Sequence, residues 1–207
     1  MKLETAFTMD TSSIKFGKGV TKEIGSDFKN MGVKRLMICT DARVAKLATM
    51  EVVEASLKDV GLEYEIYSGV SVEPTDVSFR EAIDFAKKGN FDGYLGVGGG
   101  SSMDTVKAAN LYATHPPKEF LDYVNPPIGK GLPVPGPIKP MICIPTTAGT
   151  GSETTGVTIF DLLSMEAKTG IAHRSLRPLM GIIDPDNTRS LPKMVTACTA
   201  LDQVSHA

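Results

Sequence analysis

A short apolar run that passes through three consecutive glycines into a helical pattern lies near the middle of the chain. This stretch, GYLGVGGGSSMDTVK, covers residues 93–107 and predicts a strand, a tight turn and a helix. Glycines let backbone N–H groups approach an anion closely, and a helix directs its positive N-terminal end to the same place. The stretch has neither the GxGxxG spacing of a standard dinucleotide fold nor the Gly-Lys-Ser/Thr ending of a P-loop. We expect a phosphate or pyrophosphate to bind here, the alternative being a tight turn without a ligand.

Apolar runs alternate with segments of helical periodicity from about Gly19 onward. This alternation is typical of βα units around a mostly parallel sheet, so the predicted fold class is α/β with a doubly wound, Rossmann-like sheet. A Pro/Gly-rich segment, residues 115–140, interrupts the alternation. We expect it to be mostly irregular, because prolines cannot donate the backbone hydrogen bonds of helices and sheets. Pro192 stands near the start of a last helical pattern.

Two further polar features follow apolar runs. The segment PTTAGTGSETT, residues 145–155, gathers hydroxyl groups and two glycines, which can offer several hydrogen-bond donors to a diphosphate or a ribose. Asp41 follows the apolar run RLMICT, at the end of a predicted strand where doubly wound sheets bind ligands. Its carboxylate can accept hydrogen bonds from ribose hydroxyls and would favour NAD over NADP by repelling a 2′-phosphate. An N-cap for the following helix is a compatible alternative role.

Asp202 and His206 stand four positions apart, on one face of the last predicted helix. A carboxylate and an imidazole at this spacing can bind a metal, although such pairs also occur as surface hydrogen bonds. A catalytic metal normally takes three or more protein ligands, and His115 and His173 are no obvious further ones. The pair is therefore a candidate for part of a metal site.

The charge and the hydropathy pattern exclude several classes of partner. The formal net charge of −2 lacks the basic excess of a nucleic-acid binder. No apolar run approaches the length that crosses a bilayer, and the opening residues MKLETAFTMD lack the apolar h-region of a secretory signal. We therefore expect no nucleic-acid partner, no membrane insertion and a cytoplasmic location.

Four segments together, GVGGGSSMDTVKAAN, IPTTAGTGSETT, GIIDP and the terminal ALDQVSHA, resemble the iron-containing (group III) alcohol dehydrogenase family. They fall in that family's order and approximate spacing, and the resemblance covers nearly the whole chain. The segments KAANLYATHPPKEFLDYVNPPIGKG and GTGSETTGVTIFD are most similar to the hydroxyacid-oxoacid transhydrogenase branch of the family.

The resemblance implies a two-domain protein with a dehydroquinate synthase-like N-terminal domain, an all-helical C-terminal domain and an active site between them. On this basis we expect residues 1–188 to form an NAD-binding α/β domain and residues 189–207 to form the first helix of the helical domain. The rest of the helical domain would then be missing, as in a truncated or cleaved product, and the piece alone would be inactive or nearly so.

The resemblance also implies roles for individual residues. Family members bind a divalent metal, Fe²⁺ or Zn²⁺, through one Asp and three His, of which Asp202 and His206 match the first two, so the metal site here would be incomplete. Asp41 matches the acid that binds the ribose, and Lys168 falls near the cofactor ribose. The pyrophosphate side of NAD would be held by Gly98, Gly99, Gly100, Ser101 and Asp104, and the opposite wall would be formed by Thr146, Thr147 and Ser152. Many members have Asn-Pro where this chain has Glu73-Pro74.

The implied reaction is a metal-assisted, reversible hydride transfer between an alcohol or hydroxyacid and the nicotinamide of NAD, by a homodimer or larger oligomer. The substrate partner would be a small alcohol, aldehyde or hydroxyacid. A carboxylate substrate would need a nearby cation, for which Lys130 and Arg174 are candidates. Two alternatives remain open: a stand-alone nucleotide-binding module without catalysis, and a dehydroquinate synthase-like lyase.

Overall fold

The computed structural model describes residues 11–206, with the side chain of His206 excepted. Its main sheet has six strands, all parallel, in the spatial order β1-β8-β5-β4-β2-β3. The strands of this sheet are β1 (Ser13–Phe16), β2 (Arg35–Cys39), β3 (Glu63–Tyr67), β4 (Gly93–Gly98), β5 (Met141–Pro145) and β8 (Met180–Ile183). A separate antiparallel hairpin consists of β6 (Val157–Leu162) and β7 (Ala167–Ala172).

Helices cover both faces of the sheet. They are α1 (Ile24–Asn30), α2 (Ala48–Asp59), α3 (Asp76–Gly89) and α4 (Gly100–Thr114). A further helix, α5 (Lys193–His206), follows the last strand and is largely exposed. Alternate residues of β2 point to opposite faces: Leu36 and Ile38 pack in the core beneath α1 and α2, whereas Met37 and Cys39 pack beneath α3 and α4. Strands buried on both faces carry continuous apolar runs, which is why RLMIC and MICIP lack polar alternation.

The strand order reverses beside β2. From β2 the chain moves outward to β3 at the sheet edge and then returns to β4 on the other side of β2. Ligands of open α/β sheets bind at such a switch point, outside the carboxyl ends of the strands. The residues after β2 and β4 therefore occupy the place where this topology predicts a ligand.

The Pro/Gly-rich segment 115–140 contains one short 3₁₀ turn, Phe120–Asp122, and is otherwise irregular, as predicted. It packs with the β6–β7 hairpin against α3 and α4 in a third apolar cluster. In that cluster the rings of Phe120 and Phe160 meet edge-on, with centroids 5.7 Å apart. This layer fixes the hairpin at one side of the sheet.

The predicted fold class, α/β with a doubly wound and mostly parallel sheet, is confirmed by this arrangement. The β6–β7 hairpin is an antiparallel addition that the βα pattern did not predict. No helix within residues 11–206 is both long enough and apolar enough to span a bilayer. The division of the chain at residues 188 and 189 stays a prediction.

Candidate functional site

The glycine turn joins β4 to α4 as predicted, and its geometry requires glycine at one position. Gly98 has a φ of +146°, and a β-carbon there would lie 2.4 Å from Ser102 Oγ. Gly99 is the N-cap of α4, and because it lacks a side chain it cannot cap the first-turn N–H groups itself. The N-terminus of a 15-residue helix thus presents backbone donors and a positive dipole at the end of β4, which is an anion-binding arrangement.

Asp41 lies beside this turn at the end of β2. Its Oδ1 accepts hydrogen bonds from the backbone N–H groups of Arg43 at 2.8 Å and Val44 at 3.0 Å. Its Oδ2 is 3.8 Å from the position that a β-carbon on Gly98 would occupy. One carboxylate oxygen therefore caps the following turn while the other is directed toward the glycines, so the two roles expected for Asp41 are compatible.

The threonine-rich loop after β5 lies opposite the glycine turn. The backbone N–H of Thr146 donates to the carbonyl oxygen of Gly98 at 2.9 Å, which joins the two loops at their base. A β-carbon on Gly99 would meet Thr147 Oγ1 at 3.5 Å, and one on Gly100 would meet Thr150 Cγ2 at 3.0 Å. The two loops predicted to share a ligand are therefore adjacent, with little more than van der Waals space between them.

A cleft of about 540 Å³ opens beside these loops. Six of the residues predicted to bind a cofactor or metal line it: Gly100, Ser101, Asp104, Ser152, Lys168 and Asp202. The other predicted residues, His206 excepted, lie in the adjoining loops: Asp41, Gly98, Gly99, Thr146 and Thr147. Glu73 and Thr150 also line the cleft, although no cofactor role was predicted for either.

Lys168 is the one lysine or arginine among the described residues that line the cleft. Its ammonium forms an ion pair with Glu73 and lies 3.8 Å from Asp161 Oδ1. The hydrogen bond with Glu73 raises the pKa of Lys168 above its usual value. Glu73 has a φ of +55°, a left-handed conformation that is uncommon for this residue type.

The structure places neither of the other two candidate cations in this cleft. Lys130 Nζ is 2.7 Å from Asp122 Oδ1, in the irregular segment over α4. Arg174 lines a separate surface cavity near Pro178 and the amino end of β5. The expectation that Lys130 or Arg174 lies at the substrate site therefore has no support in the cleft geometry.

A buried ion pair joins Lys107 to Asp104, which lines the cleft, and no role for Lys107 was predicted from the sequence. Lys107 is fully buried, and its Nζ lies 3.7 Å from Asp104 Oδ1. Burial lowers the pKa of Lys107 and raises that of Asp104, while each charge partly offsets the effect on the other. A lysine three residues after an acid is visible in the sequence, but the burial of α4 from Ser102 to Tyr112 is seen only in the structure.

The described residues fit a metal only in part. Asp202 lines the cleft from α5, and a β-carbon on Gly149 would lie 3.1 Å from its Oδ2, so the helix touches the threonine-rich loop. The side chain of His206, the second predicted ligand, lies outside the described part of the structure. No group of three His, Cys, Asp or Glu side chains able to hold a metal occurs among the described residues. A catalytic metal takes three or more protein ligands, so these residues do not complete a site.

Comparison with known proteins identifies the family to which the chain is similar. Residues 11–185 match the family model described as iron-containing alcohol dehydrogenase. The chain is 54% identical over 202 residues to the hydroxyacid-oxoacid transhydrogenase, mitochondrial, of Mus musculus, and 50% identical over 214 residues to the probable enzyme of that name from Dictyostelium discoideum. These matches cover 98% of this chain but 43% and 39% of the relatives, so the chain spans less than half their length.

Solved structures give the same result for the fold. NADH-dependent butanol dehydrogenase A from Thermotoga maritima superposes with a TM-score of 0.88 at 29% identity, covering 97% of this chain and 50% of that one. Sulfoacetaldehyde reductase from Bifidobacterium kashiwanohense, solved in complex with NAD⁺, has a TM-score of 0.82 at 27% identity, covering 92% and 49%. The resemblance stated from the four sequence motifs is therefore confirmed.

The comparisons also correct the predicted cytoplasmic location, which is wrong. Relatives at 50% to 54% identity are named as mitochondrial proteins. The prediction depended on the lack of an apolar h-region, which identifies secretory signals only. Mitochondrial transit peptides are instead amphipathic and rich in Arg and Ser, so this criterion does not detect them.

Proposed function

The chain belongs to the iron-containing alcohol dehydrogenase family, and from this premise we propose that it is the NAD-binding part of an oxidoreductase acting on a hydroxyacid or alcohol. Because it spans less than half the length of its curated relatives, the activity of the whole protein is part of the proposal. When NAD is bound, its nicotinamide ring exchanges a hydride with the substrate carbon.

One observation carries the proposal: the N-terminus of α4 and the threonine-rich loop face each other at the switch point of the sheet. Backbone N–H groups at Gly99, Gly100 and Ser101 would hold the diphosphate, and the helix dipole would favour its negative charge. The hydroxyl groups of Thr147 and Ser152 would donate from the opposite side. Both walls are thus built from small or hydroxylated residues that let a diphosphate approach the backbone.

Asp41 would bind the adenosine ribose. It lies on the β2 side of the glycine turn, and its Oδ2 is directed toward Gly98. An acceptor at this position suits the two hydroxyls of an unmodified ribose and repels a 2′-phosphate, so we propose NAD rather than NADP as the cofactor. The nicotinamide half would then extend into the cleft that Lys168 and Asp202 line.

The substrate class in the proposal is a hydroxyacid with its oxoacid partner. The relatives at 50% identity or more are named hydroxyacid-oxoacid transhydrogenases. In such a reaction a hydroxyacid loses a hydride and a proton to become an oxoacid, and a second oxoacid takes them up. The cleft supports a carboxylate-bearing substrate through Lys168, the cation on its wall.

For the chain by itself we propose cofactor binding without turnover. The described residues supply one carboxylate, Asp202, toward a metal, and fewer ligands than Fe²⁺ or Zn²⁺ would need. The dehydroquinate synthase-like alternative is not favoured, because the matched family and the named relatives are oxidoreductases. A homodimer or larger oligomer stays a prediction.

Isothermal titration of NADH into the chain, followed by an assay with a hydroxyacid, an oxoacid and added Fe²⁺ or Zn²⁺, tests the proposal. We expect one NADH per chain, weaker binding of NADPH, and no turnover. The same assay on a protein of the relatives' full length should show oxoacid formation. If the chain binds no NADH, the proposed function is wrong.

A further inference from the structure

Helix α5 rests on the threonine-rich loop at one place. Of residues 193–205, only Thr199 and Asp202 are partly buried, and all the others are exposed. These two residues stand three positions apart, on one face of the helix. A β-carbon on Gly149 of the loop would lie 2.7 Å from the carbonyl oxygen of Thr199 and 3.1 Å from Asp202 Oδ2. The contact of α5 with the loop therefore centres on Gly149.

Glycine at position 149 is required by the space around it and not by the backbone conformation. Its φ lies outside the left-handed region, so other residues could adopt the same backbone. An added methyl group, however, would meet a backbone oxygen of α5 well inside van der Waals contact. The hydroxyl of Thr199 already donates to the carbonyl oxygen of Val195 at 2.9 Å, within α5. The fit of Thr199 to the loop therefore depends on the missing side chain of Gly149.

The other side of the same loop forms a wall of the proposed cofactor site. The base of the loop is fixed by the hydrogen bond from the N–H of Thr146 to the carbonyl oxygen of Gly98, at 2.9 Å. Beyond this point, no N–H group of residues 147–150 donates to a backbone carbonyl in the described part of the chain. A segment with few hydrogen bonds of its own is held by what packs against it. The loop thus lies between α5 and the glycine turn, and contacts on either side can restrain it.

Helix α5 is itself sensitive to small changes in its docking. It has 14 residues, and isolated helices of this length are marginal in water. Its large apolar side chains Met194, Leu201 and Val204 are exposed and add little packing against the described residues. A modest gain or loss of contact at Gly149 therefore changes the docked fraction of α5 measurably.

We propose that Gly149 is a positioning residue that couples the docking of α5 to the binding of the dinucleotide. The inference rests on the proposed function, because it takes the threonine-rich loop to be one wall of the cofactor site. A diphosphate bound at the glycine turn restrains the loop, and the restrained loop offers α5 a fixed seat at Gly149. Bound NADH therefore favours the docked helix, which brings Asp202 to the wall of the cleft. By linkage, the docked helix raises the affinity for NADH by the same factor.

Hydrogen exchange of α5 with and without saturating NADH tests the coupling. The amides of α5 exchange when the helix leaves the loop, without unfolding of the sheet, so a ligand that stabilises only the sheet does not slow them. We expect saturating NADH to slow their exchange about fivefold or more, which is the lower end of typical coupling between two sites. Mass spectrometry of peptides that cover residues 193–206 measures this change.

Gly149→Ala removes the seat of the helix, and linkage fixes the size of the effect. In a variant whose helix cannot dock, NADH affinity falls by the same factor by which NADH slows α5 exchange in the wild type. We expect titration calorimetry to give a loss equal to that factor within about twofold. Exchange of α5 in the variant should be fast with or without NADH. A glycine with a merely structural role would not produce this equality.

Ala200→Pro prevents docking from the helix side and leaves the sequence of the loop unchanged. Proline in a helix interior removes a backbone hydrogen bond and clashes with the preceding turn, so α5 does not form. We expect the same loss of NADH affinity as in Gly149→Ala, and no further loss in the double variant. This variant keeps the test open if Gly149→Ala does not fold, which thermal melting followed by circular dichroism establishes.

Gly136→Ala is the matched control, because its added β-carbon meets only His115, at 3.7 Å. Its NADH affinity and the effect of NADH on its α5 exchange should match the wild type. The inference is overturned if NADH leaves α5 exchange unchanged, or if Gly149→Ala or Ala200→Pro leaves NADH affinity unchanged. Losses that add in the double variant would overturn it as well, because the two changes would then act separately. A wild type that binds no NADH would instead overturn the proposed function.

Discussion

Lys168 on β7 forms an ion pair with Glu73, which lies in the loop before α3 in a left-handed backbone conformation. The pair joins the hairpin wall of the cleft to the loop that follows β3, and both residues line the cleft. Glu73 thus brings a negative charge to a site proposed for an anionic cofactor.

Replacing Glu73 with Asn is expected to strengthen NADH binding. The change removes a carboxylate that repels the diphosphate, and Asn tolerates a positive φ better than Glu does. Because the pair is exposed, we expect a gain of about 0.5 to 1 kcal/mol, or roughly two- to fivefold in affinity, that shrinks as salt is raised. Titration calorimetry at two ionic strengths measures it.

Glu166→Asn is the control for that prediction. Glu166 has a φ of +47° at the turn of the hairpin but does not line the cleft. Its replacement should relieve the same backbone strain and leave NADH affinity unchanged. Equal gains in the two variants would mean that backbone strain, and not the charge of Glu73, sets the affinity.

Gly99→Ala is expected to abolish tight NADH binding without harming the fold. Gly99 has a φ of −79°, which any residue adopts, and an added β-carbon would make only ordinary contacts with Thr147 at 3.5 Å and 3.6 Å. That methyl group would stand on the glycine turn, over which the diphosphate is proposed to lie. We expect affinity to fall at least about tenfold, with stability changed by less than about 0.5 kcal/mol.

Gly136→Ala, in the irregular segment, serves as the matched substitution. An added β-carbon there meets only His115, at 3.7 Å, far from the glycine turn in the fold. Thermal melts and NADH titrations should match the wild type. A Gly99→Ala variant that binds NADH as tightly as Gly136→Ala would place the diphosphate elsewhere.

Asp184, in the motif GIIDP, is expected to stabilise the fold rather than contact the cofactor. It is buried, and its carboxylate accepts hydrogen bonds from the N–H groups of Gly19 at 3.0 Å and Thr21 at 3.1 Å and from Thr21 Oγ1 at 2.8 Å. Burial alone would raise the pKa of Asp184, but these hydrogen bonds hold it below the usual value. We expect Asp184→Asn to lose about 1 to 3 kcal/mol of unfolding free energy at neutral pH.

The sign of the pH dependence follows from that lowered pKa. A depressed folded-state pKa contributes stability above the unfolded-state pKa of about 3.9 and loses it as the pH falls through the folded-state value. The stability difference between Asp184→Asn and wild type should therefore shrink below about pH 4. Asp186→Asn, at an exposed carboxylate two residues away, should change stability by less than about 0.5 kcal/mol. Urea titrations at pH 7 and pH 3 measure both, and a difference that grows in acid would contradict this account.

Helix α5 is expected to be the least protected of the described helices. Three large apolar side chains on it are mostly exposed, with accessible fractions of 74% for Met194, 71% for Leu201 and 73% for Val204. A helix with little packing is marginal in water, so its amides should exchange faster than those of β4 by at least about a hundredfold. Hydrogen exchange with mass spectrometry measures this. Equal protection of α5 and β4 in a monomer would contradict the division at residue 188.

The sequence predicted the sheet and the two loops well, for a physical reason. Strands buried on both faces need continuous apolar runs, and glycines at a strand end permit backbone conformations and close approaches that other residues do not. The strands RLMIC and MICIP and the turn at Gly98 could therefore be predicted from the local sequence alone. The position of Asp41 followed from topology, because it stands where a strand of a doubly wound sheet ends.

Long-range pairings were not predictable in the same way. The sequence gives no local sign that Lys168 meets Glu73, 95 positions away, or that Lys107 reaches the backbone of Val157. Both contacts depend on how the β6–β7 hairpin packs on α4, which apolar residues of three separate segments decide together. A buried lysine in particular looks like a surface residue until its helix is known to be covered on nearly every side.

The central claim is that the glycine turn and the threonine-rich loop together hold a dinucleotide. Amide chemical-shift mapping by NMR of the 22.1 kDa chain, titrated with NADH, tests it most directly. We predict the largest shifts at Gly98 to Ser101, Thr146 to Ser152 and Asp41. Shifts confined to the separate cavity near Arg174 and Pro178, or no saturable shifts, would contradict the account.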